Sequence, residues 1–418
     1  MDYVAIIAIA AVVTYLGTFL VRKLSPTFGF VVKPGGRMIH TRATPTLGGV
    51  AMFGGFIVAI VVAQLFGVFS PVFSSSSEPI GVALGGLVIV VVGALDDIFD
   101  VSAPAKLAGQ ILSSSVLWIF GVTMFWFKLP FAGVVVLSAS ITPLLTALWV
   151  VAMENAVNLI DGLDGLAAGI VAIASLAFGI YSLKLQSLGQ LPTTSLGPLV
   201  AFATFGICIG FLPHNIHQAK VFMGDTGAMF LGLLMAASTS VVGGRTSNVA
   251  DQTFFFFAPL AIPFVILGVP MVDMAFAVVR RTARRTSVSS PDKEHLHHRL
   301  MQMGHGHARS VVILWAWTSV LALVALTPTF ISETKAIVPV VIVLVAVILW
   351  AMFHPGSNGR RKHARVGLFG TFLRSVRGGA DTKEVSNSGE SDAVPDTVPK
   401  NEVDNMETSG ETVFPSNS

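Results

Sequence analysis

A chain that repeats a run of roughly 20 apolar residues many times over has few folds open to it. Lipid offers no partner to a backbone N–H or C=O, so each segment must satisfy its own. This chain carries about eleven such runs, near 3–22, 46–67, 79–95, 105–121, 139–153, 164–184, 195–212, 227–243, 254–279, 310–327 and 335–353. The fold class expected is all-α: a polytopic membrane helix bundle of about 11 transmembrane helices. Composition agrees, since 53% of the 418 residues are hydrophobic and only 12% are charged, against about 25% charged in a soluble domain. The run at 139–153 is short and contains Pro143, and 254–279 carries Pro259, Pro263 and Pro270, which predict a kink. Lys128 and Pro130 break the apolar stretch 124–140, which is expected as an outer-face hairpin or loop. The single cysteine, Cys208, excludes a disulfide framework and a multi-Cys zinc site.

Asp2 precedes the first run, and Arg22 and Lys23 follow it. That is the reverse of a cleaved secretory signal, so the run is expected to be retained with its N-terminus outside. From there, Lys and Arg gather in the alternate loops that face inward and after the last span. The outward loops hold only Lys128, Lys184, Arg245 and Lys335. The expected domains are a membrane catalytic unit over 1–355 and a cytoplasmic tail over 356–418. The tail is basic at first; from about Gly378 it becomes rich in Ser, Glu, Asp and Thr, and it is expected to be disordered.

Reactive side chains crowd the inward loops in four clusters. The first is Asp96-Asp97-x-x-Asp100 at the inner end of the third span. A carboxylate costs roughly 2.5–3.5 kcal/mol inside a bilayer, and three together repel one another. They suit a cation, or a raised pKa on one of them that makes it a better base; the plainer alternative is a solvated helix end. If the helix continues, Asp96 and Asp100 share a face. The second cluster is Asn155-x-x-Asn158-x-x-Asp161-Gly-x-Asp164-Gly165, whose spacing of three stacks amide and carboxylate oxygens on one side of a helical turn. Hard cations such as Mg²⁺ accept both kinds of oxygen. A polar turn capping two helices is the alternative.

The third cluster is Lys220-x-Phe222-x-Gly224-Asp225-Thr226-Gly227. Asp225-Thr226 can cap the helix that follows. The same residues also suit a metal carboxylate, with Lys220 on a phosphate and Phe222 stacked on a base. The fourth is the longest inward loop, with His295-Leu296-His297-His298-Arg299 and then His305-Gly-His307. Its arginines and histidines offer several donors to phosphate oxygens. A His-only zinc site is the other reading, but the spacing fits no common zinc signature. There is no ATP-binding Gly-rich loop ending in Lys-Ser/Thr and no dinucleotide fingerprint. Acids and amides for a divalent cation, with cationic groups for phosphate, therefore point to phosphoryl transfer between a soluble donor and a lipid acceptor.

These pieces resemble the polyprenyl-phosphate N-acetylhexosamine-1-phosphate transferases. The likeness is carried by Pro45-Thr46-Leu47-Gly48-Gly49, the Asp96-Asp97 cluster, the Asn155-to-Gly165 stretch, Val221-Phe-Met-Gly-Asp225-Thr-Gly and the His295-to-Arg299 loop, in the expected order. The His-x-His-His-Arg loop is similar to the UDP-GlcNAc branch, and the chain as a whole to the actinobacterial decaprenyl-phosphate enzymes. Lys33-to-His40 departs from that branch's usual Pro-Asp-x-Arg-Lys style.

The resemblance implies transfer of GlcNAc-1-phosphate from UDP-GlcNAc to a polyprenyl phosphate, with release of UMP. The site would lie at the cytoplasmic face of the plasma membrane. It implies Mg²⁺, or Mn²⁺ in its place, held by Asn158 and Asp225. It gives Asp96, Asp97 and Asp161 catalytic parts, with Asp96 or Asp97 serving the lipid phosphate. Asp100, Asn155, Lys220, Phe222, His295, His297, His298 and Arg299 then bind substrate. Besides the two substrates and membrane lipid, a homodimer is compatible with it, and no nucleic acid is expected. The alternatives are another donor, such as UDP-MurNAc-pentapeptide, or a transporter of an anionic substrate.

Overall fold

The computed structural model describes residues 1–32, 44–124, 126–129, 133–243 and 307–330. The expected spans at 254–279 and 335–353, the His295-to-Arg299 loop and the tail lie outside the described residues. Within them the helices are α1 (Asp2–Leu24), α2 (Gly48–Leu65), α3 (Ser70–Ser75), α4 (Glu78–Phe99), α5 (Ala103–Ile119), α6 (Thr142–Ile160), α7 (Leu166–Ser187), α8 (Gly197–Asn215), α9 (Gly224–Gly243) and α10 (His307–Phe330). Every expected span inside the described residues is a helix, and 8 helices are long and apolar enough to cross a membrane. α5, at 17 residues, lies between α4 and α6 in the bundle.

The starts are chemically marked. A proline stands in the first turn of α3, α4, α5, α6 and α8, where the missing N–H costs nothing and the fixed φ suits a helix. Two short antiparallel ribbons complete the fold. β1 (Val31–Val32) pairs with β2 (Thr44–Pro45), and β3 (Trp126–Leu129) pairs with β4 (Gly133–Val136), with Lys128 opposite Val134. The second ribbon is the hairpin expected between 124 and 140.

α9 is the axis of the bundle. Every residue from Thr226 to Gly243 is buried, as a helix that is apolar all round must be. α2, α4, α6, α7 and α8 pack on it. Small residues let them come close: a Cβ on Gly49 of α2 would stand 2.2 Å from the Gly227 backbone nitrogen. α1 is the opposite case. It buries Ile6, Ala10, Thr14 and Thr18, one stripe at every fourth residue, against α2 and α8, and leaves the rest half-buried or exposed.

Two expectations are corrected. Asp100 does not share a face with Asp96, because the helix stops: Asp100 is the C-cap in the left-handed region (φ 54°) and donates its N–H to Asp96 O. The span expected to end near 153 continues to Ile160, so Asn155 and Asn158 stand inside α6 and not in a loop. The helix extends because both amides meet polar partners on neighbouring helices, which makes a polar helix end tolerable.

Candidate active site

Three helix termini converge: the end of α4, the end of α6 and the start of α9. The first N–H groups of a helix have no partner of their own. Here they are met from another helix. Asp97 Oδ1 accepts the Asp225 N–H at 2.9 Å, and Asp97 Oδ2 accepts the Thr226 N–H at 3.2 Å and the Thr226 hydroxyl at 2.6 Å. The cap expected from Asp225 and Thr226 themselves is therefore supplied by Asp97 on α4, and Asp225 keeps its carboxylate for other partners. Gly224 makes room for this contact: its φ is 68°, and a Cβ there would lie 2.3 Å from Asp97 Oδ2.

Those other partners surround one cation. The Lys106 ammonium, at the start of α5, donates to Asp96 Oδ2 at 2.8 Å and to Asp225 Oδ2. With its amide turned so that each end meets a complementary atom, Asn158 donates to Asp225 Oδ1 at 3.0 Å and accepts from Lys106 Nζ at 3.2 Å. Asp96 is held in turn by the Val101 N–H at 2.9 Å. Hard oxygens from Asp96, Asn158 and Asp225 thus point at a single positive atom, which is a donor set that fits Mg²⁺. Sequence reasoning counted Lys106 only as an inward-facing charge. Its position nine residues past the second carboxylate of the pair is the signal that was there to be used.

Asp161 is the C-cap of α6, donating its N–H to Asn158 O at 3.2 Å. Withdrawal from water, and then the charges of Asp225, Asp97 and Asp164, push its carboxyl well above the usual carboxylate range. Asn155 turns away from the cation, donating to Gln110 Oε1 at 3.1 Å and Val151 O at 2.8 Å. The Lys220 backbone N–H bonds His214 O at 2.8 Å, while Lys220 itself is exposed, as is Asp100. Phe222 joins two of the sequence motifs through its backbone. Its N–H donates to Pro45 O at 2.8 Å and its carbonyl accepts the Gly48 N–H at 3.0 Å, so Pro45-to-Gly49 lies against Val221-to-Asp225.

A second cluster, missed from sequence, closes the same end of the bundle. Asp164 Oδ2 accepts from His217 Nδ1 at 3.2 Å and from the Ala219 N–H at 3.1 Å. The Asp164 N–H donates to His307 Nε2 at 3.0 Å, and the two imidazoles stack 4.6 Å apart. Asn215 ties the neighbouring backbone, accepting the Gly165 N–H at 2.9 Å and donating to Val221 O at 3.0 Å. These three side chains have the composition of a metal site. As folded, however, the His307 Nε2 lone pair already takes the Asp164 N–H. The trio therefore joins the α6–α7 turn, the segment after α8 and the start of α10 by hydrogen bonds.

Residues 79–243, which span α4 to α9 and hold the whole oxygen cluster, match glycosyl transferase family 4. The chain is 38% identical to the decaprenyl-phosphate N-acetylglucosaminephosphotransferase of Mycobacterium tuberculosis (strain ATCC 25618 / H37Rv), over 81% of this chain and 86% of that protein. The chain belongs to glycosyl transferase family 4. Another member of the family is the decaprenyl-phosphate N-acetylglucosaminephosphotransferase of Mycolicibacterium smegmatis (strain ATCC 700084 / mc(2)155), 37% identical over 84% of this chain and 89% of that one. A third, the phospho-N-acetylmuramoyl-pentapeptide-transferase of Desulforudis audaxviator (strain MP104C), is 32% identical over 72% and 89%. This family member is thus a multi-pass membrane transferase.

Proposed function

We propose that the chain transfers GlcNAc-1-phosphate from UDP-GlcNAc to a polyprenyl phosphate, decaprenyl or undecaprenyl, at the cytoplasmic face of the plasma membrane. This would be the first membrane step of a cell-envelope glycan. The observation that carries the reading is the cation held among Asp96, Asn158 and Asp225, together with relatives named for this transfer. The greater identity to the N-acetylglucosamine enzymes than to the pentapeptide transferase favours UDP-GlcNAc as donor.

In the reaction, an oxygen of the lipid phosphate attacks the β-phosphorus of the donor. The bond from that phosphorus to the oxygen bridging toward the uridine phosphate breaks, and UMP leaves with the electron pair. The acceptor is already anionic near neutral pH, so the work is positioning and charge stabilisation. Asp225, Asn158 and Asp96 would hold Mg²⁺, or Mn²⁺, which neutralises charge building on the diphosphate. With those oxygens on the metal, Lys106 would be available to pair with phosphate. Asp97 fixes the first turn of α9 and with it the aim of Asp225. Asp161 would serve the nucleotide or the metal, His295, His297, His298 and Arg299 would bind the diphosphate and sugar, and Lys220 and Phe222 would bind phosphate and base.

The test is turnover by purified protein in detergent with UDP-GlcNAc, a polyprenyl phosphate and Mg²⁺. UMP release and an organic-extractable sugar lipid that vanish with EDTA and in Asp225→Asn establish the reaction and the donor together. Turnover with UDP-MurNAc-pentapeptide instead keeps the reaction and overturns the donor. No turnover with any UDP-sugar by folded protein removes the enzyme reading and leaves transport of an anionic substrate.

A further inference from the structure

Three of the helices that meet at the oxygen cluster, α5, α6 and α9, stay in register for two more turns below it. On α5 the facing residues are Lys106, Gln110 and Ser113; on α9 they are Asp225, Met229 and Gly232. Both series step by four and then three, one stripe of a helix. On α6, Asn158 is followed back along the chain by Asn155 and Glu154. The first layer is Lys106, Asn158 and Asp225. In the second, Gln110 Oε1 accepts from Asn155 at 3.1 Å while Gln110 Nε2 meets the Met229 sulfur at 3.5 Å. In the third, Ser113 Oγ lies 3.1 Å from Glu154 Oε1 and bonds Gln110 O at 2.8 Å. Gly232 lets α6 settle on α9 there, since a Cβ would fall 2.4 Å from Glu154 Cα.

Glu154 is the anomaly in this ladder. It is fully buried (0% exposed), two turns inside a membrane span, and its Oε2 has no hydrogen-bond partner among the described residues. A carboxyl is expensive in such a place, and a packed apolar side chain of similar volume serves stability as well or better. The hydrogen count is informative. Ser113 has one hydroxyl hydrogen and two acceptors in reach, Gln110 O and Glu154 Oε1. A carbonyl has no hydrogen to give, so both contacts are full bonds only when one hydrogen comes from the Glu154 side, which a neutral acid or an amide provides and an apolar side chain does not.

We propose that Glu154 is a positioning residue for the transfer reaction. Through Ser113 and Gln110 it sets the rotation of α5 against α6 and α9, and so the placement of Lys106 among Asp96, Asn158 and Asp225. This rests on the function proposed above. Misplacement of a reacting group by about 1 Å can cost about 100-fold in rate, so a ladder that fixes helix rotation acts on turnover more than on binding.

The test compares wild type with Glu154→Leu, Glu154→Gln and Ser113→Ala, reading melting temperature, kcat, KM for UDP-GlcNAc and the Mg²⁺ concentration for half-maximal rate. Glu154→Leu is expected to fold as stably as wild type, to lose about 10-fold or more in kcat, to shift the Mg²⁺ requirement and to keep KM. Glu154→Gln is expected to restore kcat to within about 3-fold, since its amide can donate to Ser113. Wild-type kcat in a folded Glu154→Leu overturns the proposal, as does a loss that Glu154→Gln shares in full. If Glu154→Leu does not fold, Ser113→Ala decides: a kcat loss at unchanged melting temperature supports the ladder, and unchanged kcat overturns it. If wild type itself turns over no UDP-sugar, the function reading has failed separately. The ladder is then judged by the melting-temperature rise that Mg²⁺ alone produces, which Glu154→Leu should diminish and, if the proposal is wrong, will leave intact.

Discussion

The two polar clusters at this end of the bundle are built from similar material and do opposite things. Around Lys106, carboxylate and amide oxygens outnumber the positive charge they face, so the cluster is complete only with a cation in it. Around Asp164, donors and acceptors are matched: its Oδ2 accepts from His217 and the Ala219 N–H, and its own N–H donates to His307. One cluster gathers oxygens around a single positive atom and the other is a clasp. Surplus acceptor capacity, more than residue type, separates a site that can do chemistry from one that holds loops together.

The sharpest way to break that contrast is at Asp225. Asp225→Ala should lower UMP release by about 100-fold or more, while the melting temperature changes little; a comparable loss in His217→Ala would erase the distinction. Next comes Lys106→Ala, which leaves buried oxygens facing no cation. It should destabilise metal-free protein by about 3 kcal/mol, and Mg²⁺ should restore part of that in a thermal-shift measurement. Asp97→Asn removes an acceptor from the first turn of α9 and should cost about 1–2 kcal/mol by denaturation, with a rate loss that Mg²⁺ does not rescue.

Asp161 gives a pH test. Its folded pKa is raised, so between the unfolded value of about 3.9 and the folded one the native state binds the extra proton. Its contribution to stability is therefore full below the unfolded pKa and is lost as pH rises through the folded pKa. Metal-free protein should melt lower as pH climbs through this window, and Asp161→Asn should flatten that slope. The smallest effect is expected for His217→Ala. Its ring is 40% exposed, so losing its bond should cost no more than about 1 kcal/mol and leave the Mg²⁺ requirement where it was.

Much of this was legible in the sequence because it is local. Apolar runs of helical length, prolines at helix starts and the hairpin flanking Lys128 all follow from neighbours in the chain. The motif clusters named Asn158 and Asp225, which do meet at one cation. What could not be read was long-range or conformational. A cap for Thr226 was sought next door in Asp225, whereas it comes from Asp97. Asp100 looked like one more helical carboxylate, because nothing in its neighbourhood announces a non-glycine residue taking the left-handed turn that ends α4. Lys106 resembled every other inward-facing cation until the fold brought α5 against α6. Glu154 fell just past the end of the run expected at 139–153, and its meaning is a partner on another helix.

The bond from Asp97 to the start of α9 joins residues 128 positions apart. During synthesis, α4 therefore enters the membrane long before the helix it is to cap has been made, and Asp97 waits there with its oxygens unclaimed. When α9 emerges, its apolar length carries it into the bilayer, but its first turn is complete only beside α4. Of the three helix ends that form the oxygen cluster, the last made is thus also its keystone. A chain interrupted before α9 leaves Asp97 with its oxygens unclaimed at a helix end, whereas Asp96 beside it already has Lys106 and the Val101 N–H.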